Sequence, residues 1–214
     1  MAVPNPTPIF RFLHIDNLAV VLQRGGLHAP NLTPKDGLTY KTIHDISVQQ
    51  KRSSQPITRG PRGVIHDYVP FYFGYLSPML LKLNTGQVAG YTEGQTPLVY
   101  LVTTAQAIAQ SGAGFVFSDG HGIAAFTSWF DDLSQLDKVD WNMVYQRYWS
   151  DNINDMDRQR RKQAELLIHR FCPWDLIGEI GVINTAMQTR VQTILSQYPQ
   201  KLHRPVTVRP NWYY

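Results

Sequence analysis

The sequence predicts an α+β fold, with strands and helices mixed but without the strand–helix–strand rhythm of a doubly wound parallel sheet. Three observations support this. Runs rich in β-branched and aromatic residues (PIFRFLH, HDYVPFYFGY, PLVYLVTT, GVIN) alternate with helix-periodic segments at irregular intervals. Fifteen glycines and 14 prolines punctuate the whole length, so the elements must be short. The composition, 43% hydrophobic and 17% charged, is that of a folded chain and argues against disorder.

In chain order, residues 8–14 read as a strand. A helix follows, with Asp16 available as its cap, Leu18, Val21 and Leu22 at helical spacing, and Gly25 and Gly26 as the stop. GLHA is a short strand. Residues 30–63 are polar, with scattered basic side chains, and read as a long loop region carrying one short helix. Residues 66–75 form an aromatic strand that Pro70 places at an edge or bulge. Residues 97–104 are a buried strand whose Thr104 caps the helix AQAIAQSG. FVFSDGHG is a strand running into a turn. Residues 131–150 read as helical, with Asp131 and Asp140 as caps. GVIN is a strand, TAMQTRVQTILSQY an amphipathic helix with Met187, Val191, Ile194 and Leu195 on one stripe, and VTVRPNWYY a final strand.

The length of 214 residues fits one domain, 1–214, and no segment has the composition of a linker. The formal charge of +4 is too modest to establish a nucleic-acid partner on its own. A single cysteine, Cys172, excludes an internal disulfide and is a poor start for a zinc site. The N-terminus lacks the basic and apolar regions of a secretory signal, and no apolar run approaches the ~18 residues of a membrane span. The expectation is a soluble cytoplasmic protein. Walker A, GxGxxG, HExxH and GxSxG motifs are absent. The seven histidines are dispersed along the chain, so no metal site is expected.

Four local features carry chemistry. In DRQRRKQAELLIHRF (157–171), Arg158, Arg160, Arg161 and Lys162 precede Glu165. As a helix, this is an amphipathic segment with solvated charges. As a strand from 163 onward, period two puts Glu165, Leu167 and His169 on one face, with a carboxylate at the strand mouth behind a basic loop. Propensity favours the helix, and local reading leaves both open. In residues 44–63, Lys51, Arg52, Arg59 and Arg62 form either a solvated loop or an arm presenting guanidiniums to phosphates. The aromatic strand carries Tyr68, Phe71, Tyr72, Phe73 and Tyr75, which serve the core or offer a stacking surface to a planar ring. Arg11, His14 and Asn17 stand at a strand-to-helix junction, where caps are commoner than ligands.

Taken in order, PTPIFRFLHIDNL, HDYVPFYF…SPML, FSDGHG, RKQAELLIHRFCPW and RPNWYY resemble the DarT family, the DNA ADP-ribosyltransferase toxins of bacterial DarT–DarG toxin–antitoxin pairs. The resemblance spans almost the whole chain. It implies an ADP-ribosyltransferase fold, with two packed, mostly antiparallel β-sheets around an NAD cleft, flanked by helices. It implies Glu165 as the catalytic glutamate and Arg52 as the catalytic arginine. It also implies NAD contacts from the segment holding Arg11, Leu13, His14 and Asn17, together with Arg52 and Tyr72. Many relatives have His-x-Thr where this chain has Arg11-Phe12-Leu13. The loop before Glu165, with Arg158, Arg160 and Arg161, would meet DNA, as would His121 of DGHG.

The residue types suit that chemistry. Loss of nicotinamide leaves an oxocarbenium-like centre on the ribose, which a carboxylate stabilises. A diphosphate calls for fixed guanidiniums, with Arg52 and Arg11 the candidates. The implied acceptor is the ring nitrogen N3 of thymine in single-stranded DNA, whose proton Glu165 would take. The implied partners are single-stranded DNA and a DarG-type macrodomain antitoxin. Two other readings stay open: an ADP-ribosyltransferase acting on RNA or protein, and a non-catalytic single-stranded nucleic-acid-binding module.

Overall fold

The computed structural model describes residues 1–214. Its strands are β1 (Pro8–His14), β2 (Gly26–His28), β3 (Tyr68–Tyr72), β4 (Leu98–Thr104), β5 (Phe115–Ser118), β6 (Trp129–Phe130), β7 (Glu165–His169), β8 (Phe171–Pro173), β9 (Glu179–Val182) and β10 (Val206–Val208). Its helices are α1 (Leu18–Gln23), α2 (Ile46–Ser54), α3 (Pro78–Asn84), α4 (Ala105–Gln110), α5 (Trp141–Val144), α6 (Arg158–Lys162) and α7 (Thr185–Leu195). Eight strands form one sheet in the order β10-β9-β4-β1-β3-β7-β5-β6, and β2 pairs with β8. Only β10 runs parallel to its neighbour.

The sheet is two four-stranded halves joined at a single register pair. β1 and β4 pair without a break from Pro8↔Thr104 to His14↔Leu98, whereas β1 meets β3 only at Phe10↔Tyr72. Extending that register by two residues would set Phe12 opposite Pro70. Proline has no N–H to give to the ladder, and its carbonyl accepts instead from the Arg11 side chain (Nη1, 2.9 Å). The strands therefore part there and open a cleft between the two half-sheets.

Alternation on β1 divides the core. Ile9 and Leu13 join the larger cluster, with Val99, Leu101, Leu166, Ile168 and the α7 residues Met187, Val191 and Leu195. Phe10 and Phe12 join a second cluster with Leu80 and Leu83 of α3 and the C-terminal Tyr213. No helix is long and apolar enough to cross a membrane.

Several local expectations are corrected. The His14 ring, not Asp16, caps the turn before α1, its Nδ1 accepting from the Asp16 N–H at 3.2 Å. Residues 131–150 do not form one helix. They hold a 3-10 segment, Leu133–Lys138, capped by Asp132, and then α5, capped by Asp140. The Asp131 carboxylate accepts from the Gly60 N–H (3.0 Å) rather than capping. Of the terminal nonapeptide only Val206–Val208 is strand, because Pro210 opens a 3-10 turn. α3 was hidden in an aromatic, proline-bearing stretch, although Ser77 as N-cap and Pro78 at the first helical position are its ordinary start signals. The ambiguous stretch 157–171 is both things in turn, a single helical turn (α6) and then β7.

Candidate active site

β7 starts at Glu165, directly opposite Tyr72 of β3. Leu166 and Ile168 point into the main core, and Leu167 packs with Ile65, Tyr68 and Val116 on the other side. The alternation read from the sequence thus leaves Glu165 at the strand mouth, on the Leu167 face. Its backbone N–H donates to Ser118 Oγ (3.3 Å), which ties the start of β7 to the end of β5.

Arg52 comes from the last turn of α2, a helix fixed at its start by the Asp45 carboxylate, which accepts from the Ser47 and Val48 N–H groups. The guanidinium grips Glu165 with two parallel bonds, Nη1 to Oε1 and Nη2 to Oε2, each 2.9 Å. Both residues are buried, at 7% and 2% exposure. Burial presses the Arg52 pKa down, but the Glu165 carboxylate outweighs it, and the net shift is upward. The two parallel bonds take the fork geometry that arginine alone provides.

A third donor completes the grip. The Gly122 N–H reaches Glu165 Oε1 at 3.2 Å. A Cβ at Gly122 would stand 2.6 Å from that oxygen and 2.9 Å from Ile65 Cδ1, so the DGHG turn needs a glycine here to approach the carboxylate. Oε2 receives only the Arg52 bond and keeps acceptor capacity.

The pair opens onto a cavity of about 520 Å³, within the ~300–1,000 Å³ of ligand clefts. Arg11, Leu13, Asn17, Arg52, Tyr72, His121 and Glu165 all line it, so residues up to 154 positions apart (165 minus 11) converge. The Tyr72 ring stacks on Phe12, with centroids 6.4 Å apart, and burial pushes its hydroxyl up to about 12. Asn17 works as a clamp. Its side chain accepts from the Lys41 N–H (2.7 Å) and donates to the Lys41 carbonyl (2.9 Å), holding the segment 40–45 along the cavity.

Four expected residues lie elsewhere. His14 does not line the cavity; it is buried, with Nε2 3.2 Å from the Glu93 carboxylate. The three arginines expected to meet DNA are engaged by the protein itself. Arg158 donates to the carbonyls of Tyr148 and Ser150. Arg160 pairs with Asp119 and Asp157, and Arg161 with Asp140, Asp155 and Asp157. The sequence suggested a basic loop because these acids are spread from 119 to 157 and converge only in the fold.

Sequence reasoning also missed residues. His28, His44 and His66 line the cavity with His121, so four of the seven dispersed histidines meet there. Burial lowers all four pKa values, that of His121 to about 4, leaving neutral imidazoles at pH 7. Tyr40 and Gln163 were missed too, with no local signal to mark either. No group of three or more His, Cys, Asp or Glu side chains is placed to hold a metal ion.

The family model described as "ssDNA thymidine ADP-ribosyltransferase, DarT" matches residues 10–214. The chain belongs to the DarT family. It is 40% identical over 214 residues to a DNA ADP-ribosyl transferase of Thermus aquaticus, covering 100% of this chain and 92% of that protein. Among solved structures, it matches Thermus sp. 2.9 DarT in complex with ADP-ribosylated ssDNA, with a TM-score of 0.93 and 37% identity over 100% of this chain and 99% of the other. The complex of that DarT with NAD+ gives a TM-score of 0.89 at 37% identity, covering 100% of both chains. The cleft between the two half-sheets is therefore that of a DarT fold, and the Arg52–Glu165 pair sits inside it.

Proposed function

We propose that this chain is a single-domain NAD-dependent transferase that moves ADP-ribose from NAD onto thymine in single-stranded DNA and releases nicotinamide. The observation carrying this reading is the buried Glu165 carboxylate, held by Arg52 and the Gly122 N–H on the wall of the cavity. Family membership and the NAD+ and ADP-ribosylated ssDNA complexes of the Thermus relative support it.

NAD, when bound, supplies a ribose whose bond to a cationic nicotinamide is easily broken. Glu165 stabilises the positive charge that grows on that ribose, and Oε2 has the capacity to accept its 2′-hydroxyl. Arg52 and Gly122 fix the carboxylate beforehand, so no reorganisation is needed during reaction. Glu165 then takes the N3 proton of thymine as N3 bonds to the ribose C1, and the C1–nicotinamide bond is the one that breaks. Tyr72, beside Glu165 on the paired strand, offers a ring face to a planar group. Leu13 contributes an apolar wall. Asn17 acts through the 40–45 segment it clamps, and His14 acts at a distance by fixing the turn after β1. His121, neutral at pH 7, is a DNA contact at the mouth.

A paired thymine hides N3 inside the duplex, so the substrate must be unstacked or single-stranded. The unchecked activity would be toxic in the cytoplasm, where NAD and DNA meet, and family membership supports a DarG-type macrodomain antitoxin as partner. The test is incubation with NAD and paired single-stranded and duplex oligonucleotides, mapped by mass spectrometry. The expected result is ADP-ribose on thymine of the single strand only. Modification of duplex at equal rate, or of RNA or protein instead, would overturn the reading.

A further inference from the structure

Alternation on β1 puts Ile9, Arg11 and Leu13 on one face, and Ile9 and Leu13 are core residues. Across the ladder, Arg11 stands opposite Leu101, also in that core. A guanidinium therefore occupies a position where the pattern calls for an apolar side chain. It has one hydrogen bond, Nη1 to the Pro70 carbonyl at 2.9 Å. Its Nε is sealed from solvent with no partner. It forms no salt bridge with any carboxylate. The groups facing it are Arg52, Tyr40, Tyr72, Cys172 and His44, with no carboxylate among them. Burial presses its pKa down, and Arg52 adds to that.

The other cavity guanidinium is in the opposite condition. Arg52 spends both terminal nitrogens on Glu165 and is neutralised by it. Arg11 is half-buried on the cavity wall; a partly desolvated cation without a counter-ion is unfavourable, and an arginine escapes that by binding an anion rather than by losing its proton. We infer that Arg11, not Arg52, is the anion receptor of this cavity, that it takes the diphosphate of the dinucleotide, and that the unliganded protein holds it there at the expense of stability. The inference rests on the cavity being the NAD site and names which side chain meets which part of NAD.

Arg11→Met in the full chain separates the possibilities, because methionine fills the same space without the charge. Without ligand, the variant melts higher than the native protein, by ~2 °C or more for a chain of this length. Calorimetric titration shows NAD and ADP-ribose bound about 10- to 150-fold more weakly, the range of a lost charge-assisted hydrogen bond. Nicotinamide riboside, which lacks the diphosphate, competes about equally against both proteins, and single-stranded DNA binds both alike. Arg11→Lys, with the charge but no planar fork, binds NAD between the two.

A lower melting temperature with unchanged NAD affinity would make Arg11 a structural residue and overturn the inference. Equal loss for nicotinamide riboside would move the contact to the other end of NAD, and loss for DNA alone would move it to the DNA backbone; either overturns it. A native protein that binds no NAD would instead remove the reading of the cavity beneath it.

Discussion

Two arginine-bearing regions border the same carboxylate, and they use their charge in opposite ways. In the first, Arg52 meets a single acid, Glu165, with side-chain exposures of 9% and 2%. In the second, the run 158–162 spreads its cations over many partners: Arg160 on Asp119 and Asp157, Arg161 on Asp140 and Asp155, and Arg158 on backbone carbonyls, all partly exposed, and the buried Lys162 on two more carbonyls. The dense run looks like a ligand site in the sequence, and in the fold its cations also pair within the protein. It holds the DGHG turn and the segment 140–157 against the start of β7. Arg52, one of four basic residues in 44–63, faces the cavity. Charge density along a chain reports how many cations there are, whereas burial and partner count report what they are for.

The sharpest break of this comparison is Arg52→Ala. Removing one partner of a buried pair leaves Glu165 without its counter-ion, at a cost of about 3–5 kcal/mol. Urea denaturation should show that loss, and a loss under ~1 kcal/mol would mean that the pair is solvated. Gly122→Ala comes next. The added methyl meets Glu165 Oε1 and Ile65, so a destabilisation of about 1–3 kcal/mol is expected, together with slower nicotinamide release as the carboxylate is displaced. Native stability with native release would show that the turn has room to yield.

Lys162 tests the brace by pH. It is 2% exposed, donates to the Val144 and Gln146 carbonyls, and burial lowers its pKa to about 7. The unfolded chain, with lysine near ~10.4, therefore binds more protons between the two values, and this group makes stability rise from about pH 7 to 10. Below pH 7 both states are protonated and its unfavourable contribution is constant. Lys162→Met should melt with a flatter pH dependence across that window; an identical slope would contradict the burial argument.

The smallest effect is expected from Arg160→Ala. Its partly exposed pairs are worth about 0–1 kcal/mol each. A phosphate contact would contribute ~0.7 to the slope of log affinity against log salt for single-stranded DNA. As part of the brace, Arg160 contributes none, so native and variant slopes should coincide. A shallower slope in the variant would return it to the DNA interface.

Legibility from sequence followed the range of the interactions. β1, β4, β9, α4 and α7 were readable because period and caps are local, as with Thr104 and the Met187–Val191–Leu195 stripe. The break at 162–165 was not, because helix and strand readings of RKQAELLI differ only in what the chain packs against. β7 is strand because β3 and β5 flank it. Only a family resemblance proposes Glu165, Arg52 and Tyr72 as site residues; that they line one cavity depends on contacts between residues 113 positions apart. His14 caps the turn after β1 and meets Glu93, a placement no local signal gives, because a capping imidazole and a ligand look alike in a sequence. The convergence of four histidines was missed because no spacing announces it.

The central claim is that the carboxylate of Glu165 performs the transfer. Glu165→Gln keeps the side-chain shape and removes its charge and its basicity. With NAD and a thymine-containing single-stranded oligonucleotide, mass spectrometry should show transfer slowed by at least ~10²–10⁴-fold against the native protein, with the fold retained by circular dichroism. Transfer at the native rate by the folded variant would contradict it.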